Sequence, residues 1–189
     1  MFIHPTAIVE AGAELGKDVH IWHFAHVLDG ARVGDGAMLG QGVFVGRGVA
    51  IGARSRVQNF ANLPEGLELE EDVFVGPHVA FTNVKYPRVE RPALGNYERT
   101  LVKRGASIGA HATILPGLSL GEHCMVGAGA VVTKGVRAFA LVVGNPARQT
   151  GWVGSAGQRL EEDTQGLSCP VTNARYEVVD SELRLVINI

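Results

Sequence analysis

The chain has 189 residues, a formal net charge of −2 and 46% hydrophobic side chains, which predicts one folded domain with a sizeable core and excludes a disordered chain. A pI near 6.4 and a mean hydropathy of +0.14 supply no basic field for a nucleic-acid backbone. No apolar run approaches the ~20 residues of a membrane-spanning helix.

The start, Met1-Phe2-Ile3-His4-Pro5, lacks a basic segment followed by an apolar one, so a cytoplasmic location is expected. Two cysteines, Cys124 and Cys169, cannot build a disulfide framework. Glycine is in excess: 25 residues, nearly twice the usual share of roughly 7%.

A six-residue period accounts for that excess. Stepping by six from Ile3 meets Val9, Leu15, Ile21, Val27, Val33, Leu39, Val45, Ile51, Val57, Leu63, Leu69 and Val75 before Phe81. The period resumes at Val102, Ile108, Ile114, Leu120, Val126 and Val132, which makes 19 hexads opened by Ile, Leu or Val. Four residues after each opener stands a second selective position, mostly Ala or Val. A helix would turn residues six apart about 240° away from each other, so no helical face could stay apolar. A short strand plus a corner, repeated, keeps both positions inward, with glycine easing the bends. Three hexads per coil at the inter-strand spacing of about 4.8 Å give roughly six coils and a prism about 30 Å tall.

Between Phe81 and Val102 the count is off phase by three, so residues 82–101 leave the prism wall as an excursion. It carries Lys85, Tyr86, Arg88, Arg91, Tyr97 and Arg99, and long loops on rigid scaffolds commonly carry function. The repeat decays after Val132 through Ala138 and Leu141 to Val143-Gly144-Asn145-Pro146-Ala147-Arg148. This divides the chain into a prism over 1–148 and a cap with a small β appendage over 149–189. In the appendage, Arg175–Val179 and Leu183–Val186 read as strands around a turn at Asp180-Ser181.

Several strings carry a resemblance: Ile21-Trp22-His23-Phe24-Ala25-His26-Val27, Phe74-Val75-Gly76-Pro77, Phe81-Thr82-Asn83, Tyr86-Pro87-Arg88, the run Val126 to Lys134, and Val143 to Arg148. Together they resemble the hexapeptide-repeat nucleotide-sugar N-acetyltransferases that act on UDP-2-acetamido-3-amino-2,3-dideoxyglucuronate in surface-polysaccharide synthesis. The resemblance implies an all-β, left-handed parallel β-helix, a homotrimer with sites between neighbouring walls, and acetyl-CoA as donor. Where relatives often have Cys-Pro-x-Cys, this chain has Cys169-Pro170-Val171-Thr172; the second thiol is missing and no zinc site is expected.

Acetyl transfer to an amine needs a neutral lone pair, a fixed angle of attack and donors to the tetrahedral oxyanion. By its match to Phe-Thr-Asn, Asn83 is assigned to orient the amine or the acetyl carbonyl, which an amide can do. His78 is the candidate general base, although the resemblance implies that the departing sulfur can take the proton instead. His23 and Gln58 are assigned to the substrate pocket, and Lys85 and Arg88 to the nucleotide diphosphate or the uronate carboxylate. Gly109, Ala110, Gly127 and Ala128 are expected to leave a bare groove for the pantetheine arm, with Lys134 and Arg148 at its phosphate end. Two rival functions stand beside this one: an acetyltransferase for another acceptor, such as a TDP-amino sugar or a hydroxyl, and a β-helix that only scaffolds an assembly.

Overall fold

The computed structural model describes residues 1–92, 95–164 and 166–187. Each hexad is a strand of two residues, or three at Leu67–Leu69 and Thr100–Val102, followed by a corner, and the strands fall into three parallel walls. Ile51 pairs with Val33 on the third wall, Val57 with Val75 on the first, and Leu63 with Val45 on the second. Three hexads therefore make one coil, and every third hexad returns to the same wall, as Val57 does at Val75.

The inward positions are those the period selects. Ile21, Val27, Leu39, Val45, Leu63, Ile108, Ile114 and Leu120 are fully buried, as are Ala25, Ala31, Ala37, Ala106, Ala112 and Ala130 four residues behind an opener. Ser55 is the polar exception in that row; its hydroxyl donates to the Glu70 carbonyl and accepts from the Val73 amide, both at 3.1 Å. A buried hydroxyl with both roles filled avoids the desolvation penalty of an unpaired one.

The excursion leaves after the strand Ala80–Phe81 and rejoins at Thr100–Val102. Across it the pairing continues without a slip: Val75 meets Ile108 and Phe81 meets Ile114. The rung that follows Val75 on the first wall is thus reached only at Ile108, and the extra length of chain is looped out between the second and third walls.

The stack runs further than the hexads alone predict. The first wall has eight parallel rungs from Phe2–Ile3 to Ala140–Val143, against seven strands on the second wall and six on the third. The last inward residues are Val136, bridged to Leu120, and Val142, paired with Val126. Ala138 and Leu141, through which the sequence pattern fades, are only half-buried. The phase slips because Val136 follows Val132 by four residues instead of six.

Arg148–Trp152 folds back antiparallel on Ala140–Val143 and ends the first wall. Beyond it, Glu161–Asp163, Gly166–Ser168, Arg175–Val179 and Glu182–Ile187 form a separate antiparallel sheet. The turn between the last two strands places Asp180 and Ser181 at φ of 52° and 64°, as a tight hairpin requires. The appendage buries Leu160, Cys169, Ala174, Tyr176 and Leu183, with Phe139 and Trp152 packed against them. No helix among the described residues is long and apolar enough to cross a membrane.

Candidate active site along one corner of the prism

The three corners are built differently. Between the second and third walls the left-handed corner residue is glycine at Gly30, Gly48, Gly66 and Gly117, the residue that takes this conformation without a Cβ penalty. Between the third and first walls Arg54, Asp72 and His123 take it alongside Gly36 and Gly105, and each of the three has a partner within the chain. Arg54 donates to both oxygens of Asp72 at 2.7 and 2.6 Å, which holds the Asp72 carboxyl below its usual range. The His123 ring stacks on Phe139 with centroids 5.2 Å apart.

The corner from the first wall to the second is different again. Gly42 and Gly129 take the left-handed position at two of its coils, whereas Phe24, Phe60, His78 and His111 hold φ between 56° and 59° at four others although a non-glycine residue there costs about 1–2 kcal/mol. All four side chains are exposed. Phe60 stacks on His78 at 5.1 Å and His78 on His111 at 4.8 Å, forming a ladder of rings down the outside of the prism. Strain held by exposed aromatic and imidazole side chains points to a working surface.

Beside this ladder run two further columns, the first and second residues after each first-wall strand. The first reads Trp22, Gly40, Gln58, Gly76, Gly109, Gly127 and the second His23, Gln41, Asn59, Pro77, Ala110, Ala128. The upper part of the corner thus carries polar and aromatic side chains, whereas the lower part is nearly bare. At Gly109 the next coil comes so near that a Cβ would lie 2.5 Å from the Ala128 nitrogen; no other residue fits. A Cβ on Gly127 would meet Val143, and Val143 pairs with Arg148, so the bare strip leads to a cation. Arg148 and Lys134 line one cavity of about 250 Å³ at the end of the stack, together with Thr133, Arg137 and Gln149.

The residues assigned from sequence therefore divide into two groups. His23, Gln58, His78, Gly109, Ala110, Gly127 and Ala128 lie along this corner, with Lys134 and Arg148 at the end of the stack. Asn83, Lys85 and Arg88 do not join them. Asn83 follows the strand Ala80–Phe81, so it stands across the second wall from His78, five extended residues away. It is half-buried where the excursion leaves the wall. Lys85 is 3.9 Å from Glu98 and caps the Tyr86 ring at 5.9 Å, while Arg88 donates to the Pro87 carbonyl at 2.8 Å. In one chain His78 and Asn83 stand at different corners of the prism.

Trp22, Gln41 and Asn59 escape a reading in steps of six, because only steps of a whole coil sort residues by corner. His111 escapes it because the excursion intervenes between its coil and that of His78. A larger, shallow hollow of about 520 Å³ on the third wall includes Glu14, Arg32, Glu68, Glu70 and Glu71. It contains none of the assigned residues, and its acidic rim opposes an anionic substrate. Glu68 there pairs with Arg99 and Glu70 accepts the Arg104 amide.

The family model "Bacterial transferase hexapeptide (six repeats)" matches residues 12–47 and 99–134. Over 85 residues the chain is 42% identical to dTDP-3-amino-3,6-dideoxy-alpha-D-galactopyranose 3-N-acetyltransferase of Aneurinibacillus thermoaerophilus, a match covering 45% of this chain and 44% of that enzyme. A putative acetyltransferase of Schizosaccharomyces pombe is 32% identical over 85 residues, 43% of this chain and 41% of its own. The chain thus spans less than half the length of these curated relatives. Among solved structures, PerB from Caulobacter crescentus in complex with CoA and GDP-perosamine matches with a TM-score of 0.50 and 25% identity over 79% of this chain and 56% of PerB. The acetyltransferase domain of PglB from Neisseria gonorrhoeae, in complex with acetyl coenzyme A, gives 0.52 and 22% over 78% and 56%. The chain is a left-handed parallel β-helix that carries the bacterial transferase hexapeptide repeat in two blocks, one on each side of the excursion.

Proposed function

We propose that the chain is an acetyl-CoA-dependent N-acetyltransferase acting on the amino group of a nucleotide-linked sugar. The observation that carries this reading is the order of features down one corner: polar and aromatic side chains above, the exposed His78 in the middle, a strip without side chains at Gly109 and Gly127, and cations at the end of the stack. The strip suits a long, thin arm laid against backbone, and Lys134 and Arg148 suit its phosphates. The amino-sugar acetyltransferase from Aneurinibacillus and the PerB complex support the acceptor class. At the finer level, the Trp-His-Phe and Phe-Thr-Asn strings favour the 3-amino group of UDP-2-acetamido-3-amino-2,3-dideoxyglucuronate.

In the reaction the amine nitrogen bonds to the thioester carbonyl carbon, and the carbon–sulfur bond breaks as the tetrahedral intermediate collapses. The amine proton leaves either to the His78 imidazole or to the departing sulfur. Because Asn83 lies across the second wall, its part in this chemistry requires a neighbouring chain, and a homotrimer would bring the excursion of one chain to the ring ladder of the next. Phe24 and Phe60, 64% and 48% exposed, give that neighbour an apolar surface.

The test is CoA release with a panel of nucleotide amino sugars. Turnover of a UDP-linked 3-amino uronate above its TDP- and GDP-linked counterparts is the expected result. Turnover of a TDP-linked amino sugar alone would move the acceptor, and failure to bind acetyl-CoA at millimolar concentration would leave only a scaffold.

A further inference from the structure

A cavity of about 400 Å³ opens in the upper part of the same corner, lined by Trp22, His23, Met38, Gln41, Gln58 and Asn59 together with Gly40 and Val57. Trp22, Gly40 and Gln58 occupy the same position on three successive coils. At Gly40 the next coil comes so near that a Cβ would lie 2.5 Å from the Asn59 side-chain oxygen, so bare backbone floors a slot with Trp22 at one end and Gln58 at the other. A flat ring can lie against such a floor with the Trp22 indole beside it.

The lining also selects the chemistry of what enters. Among the described residues it includes no Lys, Arg, Asp or Glu; the cation next to it by register is Arg56, paired with Met38 on the first wall, so charge stands beside the cavity and neutral groups line it. Gln41, Gln58 and Asn59 are amides, each able to donate and accept. The Asn59 carbonyl already accepts the Gln41 backbone amide at 3.0 Å, which turns the Asn59 side chain into a fixed donor. An indole, an imidazole and three amides around a neutral slot match a planar ring whose edge presents C=O beside N–H.

We infer that this slot holds the nucleobase of the substrate, a lactam-bearing heterocycle such as uracil, thymine or guanine, and that Trp22, Gln41, Gln58 and Asn59 determine which one is accepted. The inference rests on the proposed acceptor class, since a nucleotide-linked sugar is what brings a neutral heterocycle to this corner. It also fits the spatial order, because the base then lies one to two coils above His78 and the sugar extends down toward the bare strip.

Calorimetry on the full-length protein with UDP, dTDP, GDP, ADP and inorganic pyrophosphate tests it directly. At least one lactam-bearing nucleoside diphosphate should bind ten-fold or more tightly than both pyrophosphate and ADP. In a Trp152→Phe background, where Trp22 is the one remaining tryptophan, the same ligand should quench fluorescence saturably. Gln58→Ala should raise its Kd at least ten-fold while acetyl-CoA affinity stays within two-fold. Nucleoside diphosphates that bind no better than pyrophosphate, or that bind with Trp22 fluorescence unchanged, overturn the slot; this comparison needs no Gln58 variant. A protein that acetylates a nucleotide amino sugar with Trp22 silent loses the slot and keeps the proposed function. Base-dependent quenching without acetyl-CoA binding keeps a nucleotide site and removes the acetyl transfer.

Discussion

The ring of His78 lies flat against that of His111, with centroids 4.8 Å apart and planes 5° from parallel. Phe60 covers its other face at 5.1 Å, so the imidazole is fixed in plane while its nitrogens stay open to solvent. That arrangement suits a base that must meet an incoming amine at one angle. His78→Asn should lower acetyl transfer by about 100-fold or more, with acetyl-CoA affinity unchanged by calorimetry. His111→Ala, which frees one face of the ring, should lower turnover by a smaller factor. Full turnover in His78→Asn would mean that the proton leaves with the sulfur.

Asn83 stands where the excursion departs. Asn83→Ala should reduce turnover at least ten-fold, about 1.4 kcal/mol in the barrier, with little effect on acetyl-CoA binding. Because His78 and Asn83 of one chain stand across a wall from each other, mixing His78→Asn and Asn83→Ala chains should restore activity in mixed oligomers. No recovery on mixing would place the two residues outside a shared site.

Burial holds the His123 imidazole below its ordinary range. The unfolded chain therefore takes up a proton at this position before the folded one does. Its contribution to stability is complete above the ordinary value of about 6.5 and is lost as pH falls from there. Thermal melting should show Tm declining from pH 7 to pH 5 more steeply in the wild type than in His123→Phe, which keeps the stack on Phe139. Equal slopes would remove His123 from the acid response.

Leu39 is fully buried in the third coil, between Ile21 and Val57. Leu39→Ala should cost about 2–5 kcal/mol, read from urea denaturation, since coils above and below cannot close the gap without breaking register.

Burial pushes the Cys124 thiol up to about 12, so it stays protonated at ordinary pH. Iodoacetamide should leave Cys124 unlabelled until the prism unfolds, and mass spectrometry of the labelled peptides checks this. Labelling in the native protein would show that the wall opens locally.

The prism was legible because its rule is one-dimensional: an aliphatic opener every six residues, a small residue four later, and glycine at the bends. From that rule alone, Ile51, Val57 and Leu63 could be assigned to successive walls. The end of the stack was less legible, since Val136 breaks the period and Val142 restores it within a single coil. The site was read only in part. Single residues such as His78 and Gly109 stand out in the strings around them, but their neighbours in space lie a full coil away along the chain, or beyond the excursion. The slot at Gly40 is defined by Trp22 and Gln58, neither of which is near the other in sequence. The separation of Asn83 from His78 is likewise invisible in a string where they stand five apart.

The pairing of Val75 with Ile108 passes straight across the looped-out segment. A ladder that tolerates such an interruption exerts no control over what the interruption contains. The corner after Phe81 is therefore a docking port in the scaffold, where loops of other lengths could be exchanged while the three walls stay as they are.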